Sequence, residues 1–432
     1  APEILGILII IVMFILIFLR VPIAISLILP GVIGIIYLRG WQATETALET
    51  ITWSQSFSYT LSAIPMFILM GELMYVSGIS SELYSTFKTW FGNFRGGLAT
   101  STVGASALFA AASGSSVAST GTMGVIAYRE MKKYGYNDNF SSGTIVSGGT
   151  LGILIPPSGA FIIYGIITEQ SIGKLFMAGV IPGIILTILF MVTVVISIWL
   201  KPDLAPARSE NVSWKEKFNS LSSTIWFLVL IFVVIGGMYL GWFSPTESAG
   251  IGAISAAIIA AIKRKLTVKK FIQSLERTLR TTAFMFAIII GAFVLNYFLA
   301  LTGLPMYLAK LVSTIDIPSW GTMLMILFMY ILLGAVMEAL AMIVVTVPII
   351  LPLIDALGYD LIWFGVFIVI VIELALITPP IGMNCFVLKG AVPELKLGDI
   401  FKGAIRFYVP IVVLLLLIIV FPELTLWIPN TM

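Results

Sequence analysis

The chain has 432 residues, 59% hydrophobic and only 10% charged, with a mean hydropathy of +1.09 and a net charge of +3. A soluble protein carries roughly 25% charged residues, so a soluble multidomain enzyme is excluded and a polytopic membrane protein is predicted. The lack of histidine removes imidazole acid–base chemistry, imidazole metal ligation and a histidine pH switch, and a lone Cys385 removes internal disulfides and thiol redox pairs.

The N-terminal run APEILGILIIIVMFILIFLR has no basic leader and no small-residue cleavage site, so it reads as a first span and not as a signal peptide. Each crossing needs about 20 apolar residues. Ten spans are predicted on this basis, near 3–19, 23–38, 58–78, 139–168, 175–200, 221–241, 245–262, 281–303, 361–388 and 407–428. Two further apolar stretches, 97–128 and 321–354, break midway at small residues, SGSS (Ser113 to Ser116) and GAVMEA (Gly334 to Ala339). Both read as re-entrant helical hairpins, whose tips are tolerated only where protein or water covers the backbone. The expected fold class is therefore an all-α polytopic membrane protein of about ten spans plus two re-entrant hairpins.

Charge placement supports the hairpin reading. With both hairpins re-entrant, only Arg39, Lys174 and Lys310 of the 24 Lys and Arg fall on the outer side, and the rest collect in cytoplasmic loops. Reading either hairpin as one span would invert every later loop. Both termini are then expected outside. Segment 263–280, with seven Lys/Arg, reads as a topology-setting cytoplasmic amphipathic helix, anionic lipid binding being the alternative.

An internal repeat runs through the chain. GTLGILIPPSGAF (Gly149 to Phe161) and LALITPPIGMNCF (Leu374 to Phe386) share a Pro-Pro-x-Gly break, and at the same offset YGYN (Tyr134 to Asn137) matches LGYD (Leu357 to Asp360). Each half reads as three spans, a hairpin, a broken span and a span. The halves, 1–220 (hairpin 97–128, broken helix 139–168) and 221–432 (hairpin 321–354, broken helix 361–388), are expected to be inverted repeats. Such repeats with discontinuous helices mark secondary transporters, whose sites lie at the repeat interface.

The chemistry should concentrate at the breaks. Proline removes a backbone donor and clashes with the preceding turn, so Pro156-Pro157 and Pro379-Pro380 should open their helices and bare carbonyls suited to Na⁺, while half-helix N-termini attract an anion. The tips add Ser113, Gly114, Ser115 and Ser116 in one half and Gly334, Met337 and Glu338 in the other. Glu72, Glu338 and Glu373 are placed at membrane depth without a Lys or Arg beside them, and an intramembrane carboxylate is costly unless it is paired, neutral or bound to a cation. Glu338 is the cation candidate of the three. A substrate anion would rest on helix N-termini, hydroxyls, Asn384 and co-bound cations, unless a loop Arg or Lys reaches in.

SGSSVAST (Ser113 to Thr120), GILIPPSG (Gly152 to Gly159) and TPPIGMN (Thr378 to Asn384) resemble the large membrane subunit of TRAP transporters, the tripartite ATP-independent periplasmic systems. The resemblance implies a Na⁺-driven importer in the bacterial inner membrane. It implies three partners besides the lipid bilayer: a small four-helix membrane subunit, a periplasmic substrate-binding protein, and an organic acid anion such as sialic acid or a C4-dicarboxylate. Nucleic acid and enzymatic chemistry are not expected. Because the chain begins directly with the first span of the large unit, a separate small subunit is expected. The fold implied is an inverted-repeat elevator of the ion-transporter superfamily type. Carried onto this chain, Ser113, Gly114, Ser115, Gly149, Gly152, Gly334, Met337, Glu338, Thr378, Pro379 and Gly382 are the candidate Na⁺ donors. Ser116, Pro157, Ser158, Gly159, Pro380 and Asn384 are the candidate substrate contacts. Rival readings are a proton-coupled or solo carrier of the same fold, a channel with the tips as filter, and an intramembrane enzyme, for which no recognisable machinery is present.

Overall fold

Helix breakers and caps set the order of elements. In the computed structural model, residues 2–206, 212–314, 318–334, 337–380 and 382–432 are described, and among them every regular element is helical. Ala335, Val336 and Ile381, parts of the predicted second tip and second break, lie outside the described residues. The chain opens with α1 (Pro2–Phe18), α2 (Ile23–Arg39) and α3 (Trp41–Ser56); α3 is bent by 53° from Thr60–Val76, which contains α4 (Ala63–Val76). Then come α5 (Ile79–Phe91), a hairpin of α6 (Gly97–Ser113) and α7 (Ser116–Lys133), a broken helix of α8 (Asp138–Leu154) and α9 (Gly159–Thr168), and α10 (Ile172–Leu200).

The second half starts with α11 (Trp214–Ile231), which runs through a π turn (Phe232–Gly236) into α12 (Gly237–Tyr239), followed by α13 (Pro245–Ile262). α14 (Val268–Thr302), α15 (Leu304–Thr314), the successive helices α16 (Ser319–Leu333) and α17 (Ala339–Ala356), and a broken helix of α18 (Leu361–Ile377) and α19 (Met383–Ala391) then follow in the earlier order. α20 (Leu397–Ala404), α21 (Tyr408–Val420) and α22 (Glu423–Leu426) close the chain. Among the described residues, seven helices, or eight with the bent pair, are long and apolar enough to cross a membrane, beside five shorter apolar ones. The chain is an all-α multi-pass membrane protein.

Four helices were read as loop from sequence: α3, α5, α15 and α20. α5 and α15 are too short to cross alone, whereas α20 runs on into α21 as one apolar stretch, Leu397–Val420, and α3 passes as a span only with the bent Thr60–Val76; the apolar residues of such helices recur at helical spacing. The span predicted to begin at 281 begins at Val268, because the basic 263–280 segment continues into it as one 35-residue helix.

Packing separates a buried unit from lipid-facing helices. α1 exposes Ile4, Leu8, Ile11 and Ile15, and α10 exposes Ile184, Ile188, Val192 and Val195, each an apolar stripe along one face. α6, α8 and α18 are buried almost along their length. For α6 and α8 small side chains permit this: a Cβ on Gly143 of α8 would lie 2.3 Å from the Gly403 carbonyl carbon of α20. α18 is apolar all round except at Glu373, as a fully surrounded helix should be. The matched YGYN and LGYD segments do the same work. Gly135 and Gly358 both take a left-handed φ of 74°, and Asn137 and Asp360 then cap α8 and α18, each accepting two backbone N–H groups.

Candidate functional site

The first tip is built from local hydrogen bonds. α6 ends at Ser113, Gly114 turns the chain at φ 58°, and the Ser115 hydroxyl caps α7 by accepting the Ala118 N–H at 3.3 Å. The Ser113 and Ser119 hydroxyls meet at 2.6 Å and join the two arms. This tip sits on the first break. A Cβ on Gly152 would lie 2.5 Å from the Ser115 carbonyl oxygen, one on Gly149 1.9 Å from Thr120 Oγ1, and one on Gly114 2.8 Å from the Pro157 carbonyl oxygen. Gly149 and Gly152 thus let the hairpin seat against α8. The break carries a cis Pro156–Pro157 bond, and Ser158 Oγ donates to the Ile153 carbonyl at 2.6 Å across it.

The second pair is built alike but lies more open. A Cβ on Gly334 would meet Ala375 Cβ at 2.4 Å, so this tip also packs on its broken helix, and Met337 is buried beside it. Thr378 Oγ1 donates to the Leu374 carbonyl at 2.6 Å, Pro379–Pro380 is cis, and Gly382 turns at φ 56° into α19. Pro156 and Pro157 are buried, whereas Pro379 and Pro380 are exposed. The Tyr408 hydroxyl donates to the Ile377 carbonyl at 2.9 Å. Asn384 and Glu373 are fully buried, and among the described residues neither the Asn384 amide nor the Glu373 carboxylate has a hydrogen-bond partner.

A cavity of about 490 Å³ opens where these elements meet. Three half-helices begin at its wall: α7 with Ser116 and Val117, α9 with Gly159, and α17 with Ala339 and Leu340. Their free N–H groups and positive dipole ends favour an anion there. Of the predicted site residues, Ser113, Gly114, Ser115, Ser116, Pro157, Gly159 and Glu338 line this cavity. Gly149, Gly152, Ser158, Gly334, Met337, Thr378, Pro379, Pro380, Gly382 and Asn384 do not, although Leu376, just before the second break, does. Among the described residues no group of three or more acidic or cysteine side chains is placed to hold a metal.

The opposite wall was not anticipated. It comes from α4 (Gly71, Glu72, Tyr75) and α14 (Arg277, Thr281, Met285). Glu72 was expected to lack a basic partner; instead Arg277 Nε donates to Glu72 Oε2 at 2.7 Å. The signal was helical phase. Once 263–280 is continuous with the next span, Arg277, Thr281 and Met285 fall on one face of α14. Beyond the membrane end of the first hairpin, Lys132 of α7 donates to both Asp138 carboxylate oxygens, at 2.8 and 2.9 Å, and that hydrogen bonding raises the Lys132 pKa.

Comparison with known proteins matches this architecture. A family model for the DctM component of tripartite ATP-independent periplasmic transporters covers residues 10–424. The C4-dicarboxylate TRAP transporter large permease of Pseudomonas aeruginosa is 35% identical, over 94% of both chains. The sialic acid large permease of Vibrio cholerae is 31% identical over 96% of both, and the 2,3-diketo-L-gulonate large permease of Escherichia coli 32% identical over 93% of this chain and 94% of its own. Among solved structures, the YdaH transporter of Alcanivorax borkumensis superposes with a TM-score of 0.58 at 15% identity, over 90% of this chain and 89% of its own. MtrF of Neisseria gonorrhoeae gives 0.55 at 12% identity, over 96% and 94%. These two share the fold.

Proposed function

Because this chain belongs to the DctM component family of tripartite ATP-independent periplasmic transporters, we propose that it is a Na⁺-coupled importer of an organic acid anion. Its relatives are named as transporter permeases and not as enzymes. In this reading it lies in the bacterial inner membrane with both termini periplasmic, works with a small four-helix membrane subunit, and receives its substrate from a periplasmic binding protein. The substrate class is a C4-dicarboxylate, a sialic acid or a related sugar acid, the kinds named for its relatives.

The observation that carries the reading is the convergence of three half-helix N-termini on one cavity. Together they offer partial positive charge to a carboxylate without a buried lysine. Ser113 to Ser116 supply hydroxyl and carbonyl oxygens beside it, the donor chemistry a desolvated Na⁺ needs. In the proposed cycle 1–220 and 221–432 are inverted repeats, giving ten spans and two hairpins. The hairpins and broken helices move as one elevator unit against a scaffold that includes α1, α2, α11 and α13. Na⁺ at the tips completes the anion site before the unit moves.

The test is uptake into proteoliposomes holding this chain and its small-subunit partner, with labelled succinate or sialic acid. Uptake that needs both a Na⁺ gradient and the binding protein is the expected result. Uptake that persists when choline replaces Na⁺ would overturn Na⁺ coupling in favour of protons, a second reading that the buried, unpaired Glu373 keeps open.

A further inference from the structure

We propose that Arg277 is a substrate-contacting residue, taking the anion's carboxylate on the Lys/Arg-rich side of the cavity, and that Glu72 occupies Arg277 between passages and is displaced by that carboxylate. The inference rests on the anion-carrier reading above.

Arg277, Thr281 and Met285 descend one face of α14 from the rim of the cavity toward the first break. The Met285 methyl reaches to 4.0 Å from where a Cβ on Gly159 would lie, at the start of α9. Eight residues of helix span about 12 Å. Arg277 therefore stands about 12 Å along α14 from the residue that meets the start of α9. Glu72, Glu338 and Arg277 are the charged groups lining the cavity, so Arg277 is its only cation among the described residues.

The pairing leaves Arg277 available. It holds Glu72 through Nε alone, and among the described residues its two terminal nitrogens have no partner. Guanidinium binds carboxylate best through two parallel N–H groups, so an incoming carboxylate has the better-matched edge free. About half of the Arg277 side chain and a quarter of that of Glu72 are exposed, and a pair that wet contributes little to fold stability. The exchange also has an electrostatic logic. A bare arginine on the path would trap an anion, whereas one that returns to Glu72 releases it. The segment carrying Arg277 is the most basic in the chain, with seven Lys/Arg over 263–280, so carboxylate leaving the helix N-termini moves toward positive potential at each step.

The experiment uses the chain with its small-subunit partner in lipid nanodiscs, saturating Na⁺, and labelled succinate and sialic acid as probes. Equilibrium binding and release rate are measured for wild type, Arg277→Ala, Arg277→Lys and Glu72→Gln, with melting curves to confirm folding. Arg277→Ala should weaken binding about ten-fold, the scale of one charge-assisted hydrogen bond. Arg277→Lys should fall between, and Glu72→Gln should bind several-fold tighter and release more slowly. A merely structural pair predicts the same direction for both partners, and that result overturns the proposal. If Arg277→Ala does not fold, the direction of Glu72→Gln decides alone. Wild type that binds neither probe would overturn the carrier reading and this inference with it. Wild-type binding untouched by Arg277→Ala overturns this inference only.

Discussion

Replacing Gly152 with alanine tests how the first tip is held. The added Cβ would lie 2.5 Å from the Ser115 carbonyl oxygen, 2.6 Å from its carbon and 2.9 Å from the Ser116 nitrogen, all backbone atoms. Ordinary contact begins at 3.4 Å. The tip must therefore withdraw by about 0.9 Å, because α8 is itself enclosed by α6, α7 and α20. Overpacking of this kind costs roughly 1–3 kcal/mol, and the helix preference of alanine over glycine returns up to about 1 kcal/mol. A net cost of about 1 kcal/mol, and 2 at most, leaves the fold standing, but the shift exceeds the ~0.5 Å that a preorganised site tolerates. If that cost falls on ligand binding, affinity drops about five-fold, and up to about thirty-fold at the upper end. Gly121→Ala in the same hairpin is the control, since its Cβ would meet only Val387 Cγ1 at 3.7 Å. In proteoliposome uptake, Gly152→Ala should show a large rise in the Na⁺ and substrate concentrations for half-maximal rate, with normal membrane insertion, and Gly121→Ala should match wild type. Equal behaviour of the two variants would refute the seating argument.

Two further substitutions probe the second broken helix. Asn384 has both amide atoms buried without a partner, and each such atom costs roughly 1–3 kcal/mol. Asn384→Leu should therefore melt at a higher temperature than wild type; a lower melting temperature would mean the amide is satisfied in the folded state. Thr378→Val keeps the β-branched shape and removes the 2.6 Å bond to the Leu374 carbonyl, a loss of about 1 kcal/mol. Its Na⁺ titration should shift to higher concentration in the uptake assay, and an unchanged titration would remove the Thr378 hydroxyl from the proposed ion site.

Features that depend on local chain chemistry were legible in advance. A Pro-Pro pair stops a helix wherever it falls, so both breaks, at Ile155 to Ser158 and after Ile377, were readable from two short motifs. Both helix interruptions were readable because small residues break a long apolar run, and the flanking helices end and begin within a few residues of SGSS and GAVMEA. Arg277 was not legible as a cavity residue. Its charge served to orient the loops, and its partner Glu72 stands 205 residues away, brought close only by the packing of α4 on α14. The exposure of Pro379 and Pro380 was likewise hidden. Sequence symmetry makes the two breaks look equivalent, and packing makes them unequal.

That inequality bears on coupling. A Cβ on Gly152 would lie 2.5 Å from the Ser115 carbonyl oxygen and one on Gly114 2.8 Å from that of Pro157, so both carbonyls belong to the contact between the first tip and its break. In the proposed cycle a Na⁺ at the carbonyl and hydroxyl oxygens of this tip offsets the repulsion that their negative ends would exert on an anionic substrate. Substrate affinity then depends on Na⁺, and linkage makes Na⁺ affinity depend on substrate by the same factor. The second tip contributes Glu338 to the cavity wall, to which Thr378, Pro379 and Pro380 of its own break do not contribute. A Na⁺ there would act through Glu338 and the start of α17, neutralising a carboxylate that otherwise repels the substrate. One cation thus corrects backbone dipoles and the other a formal charge. Of the two, the formal charge acts over the longer distance in a low-dielectric cavity, so the Na⁺ at the second tip would contribute more to the coupling.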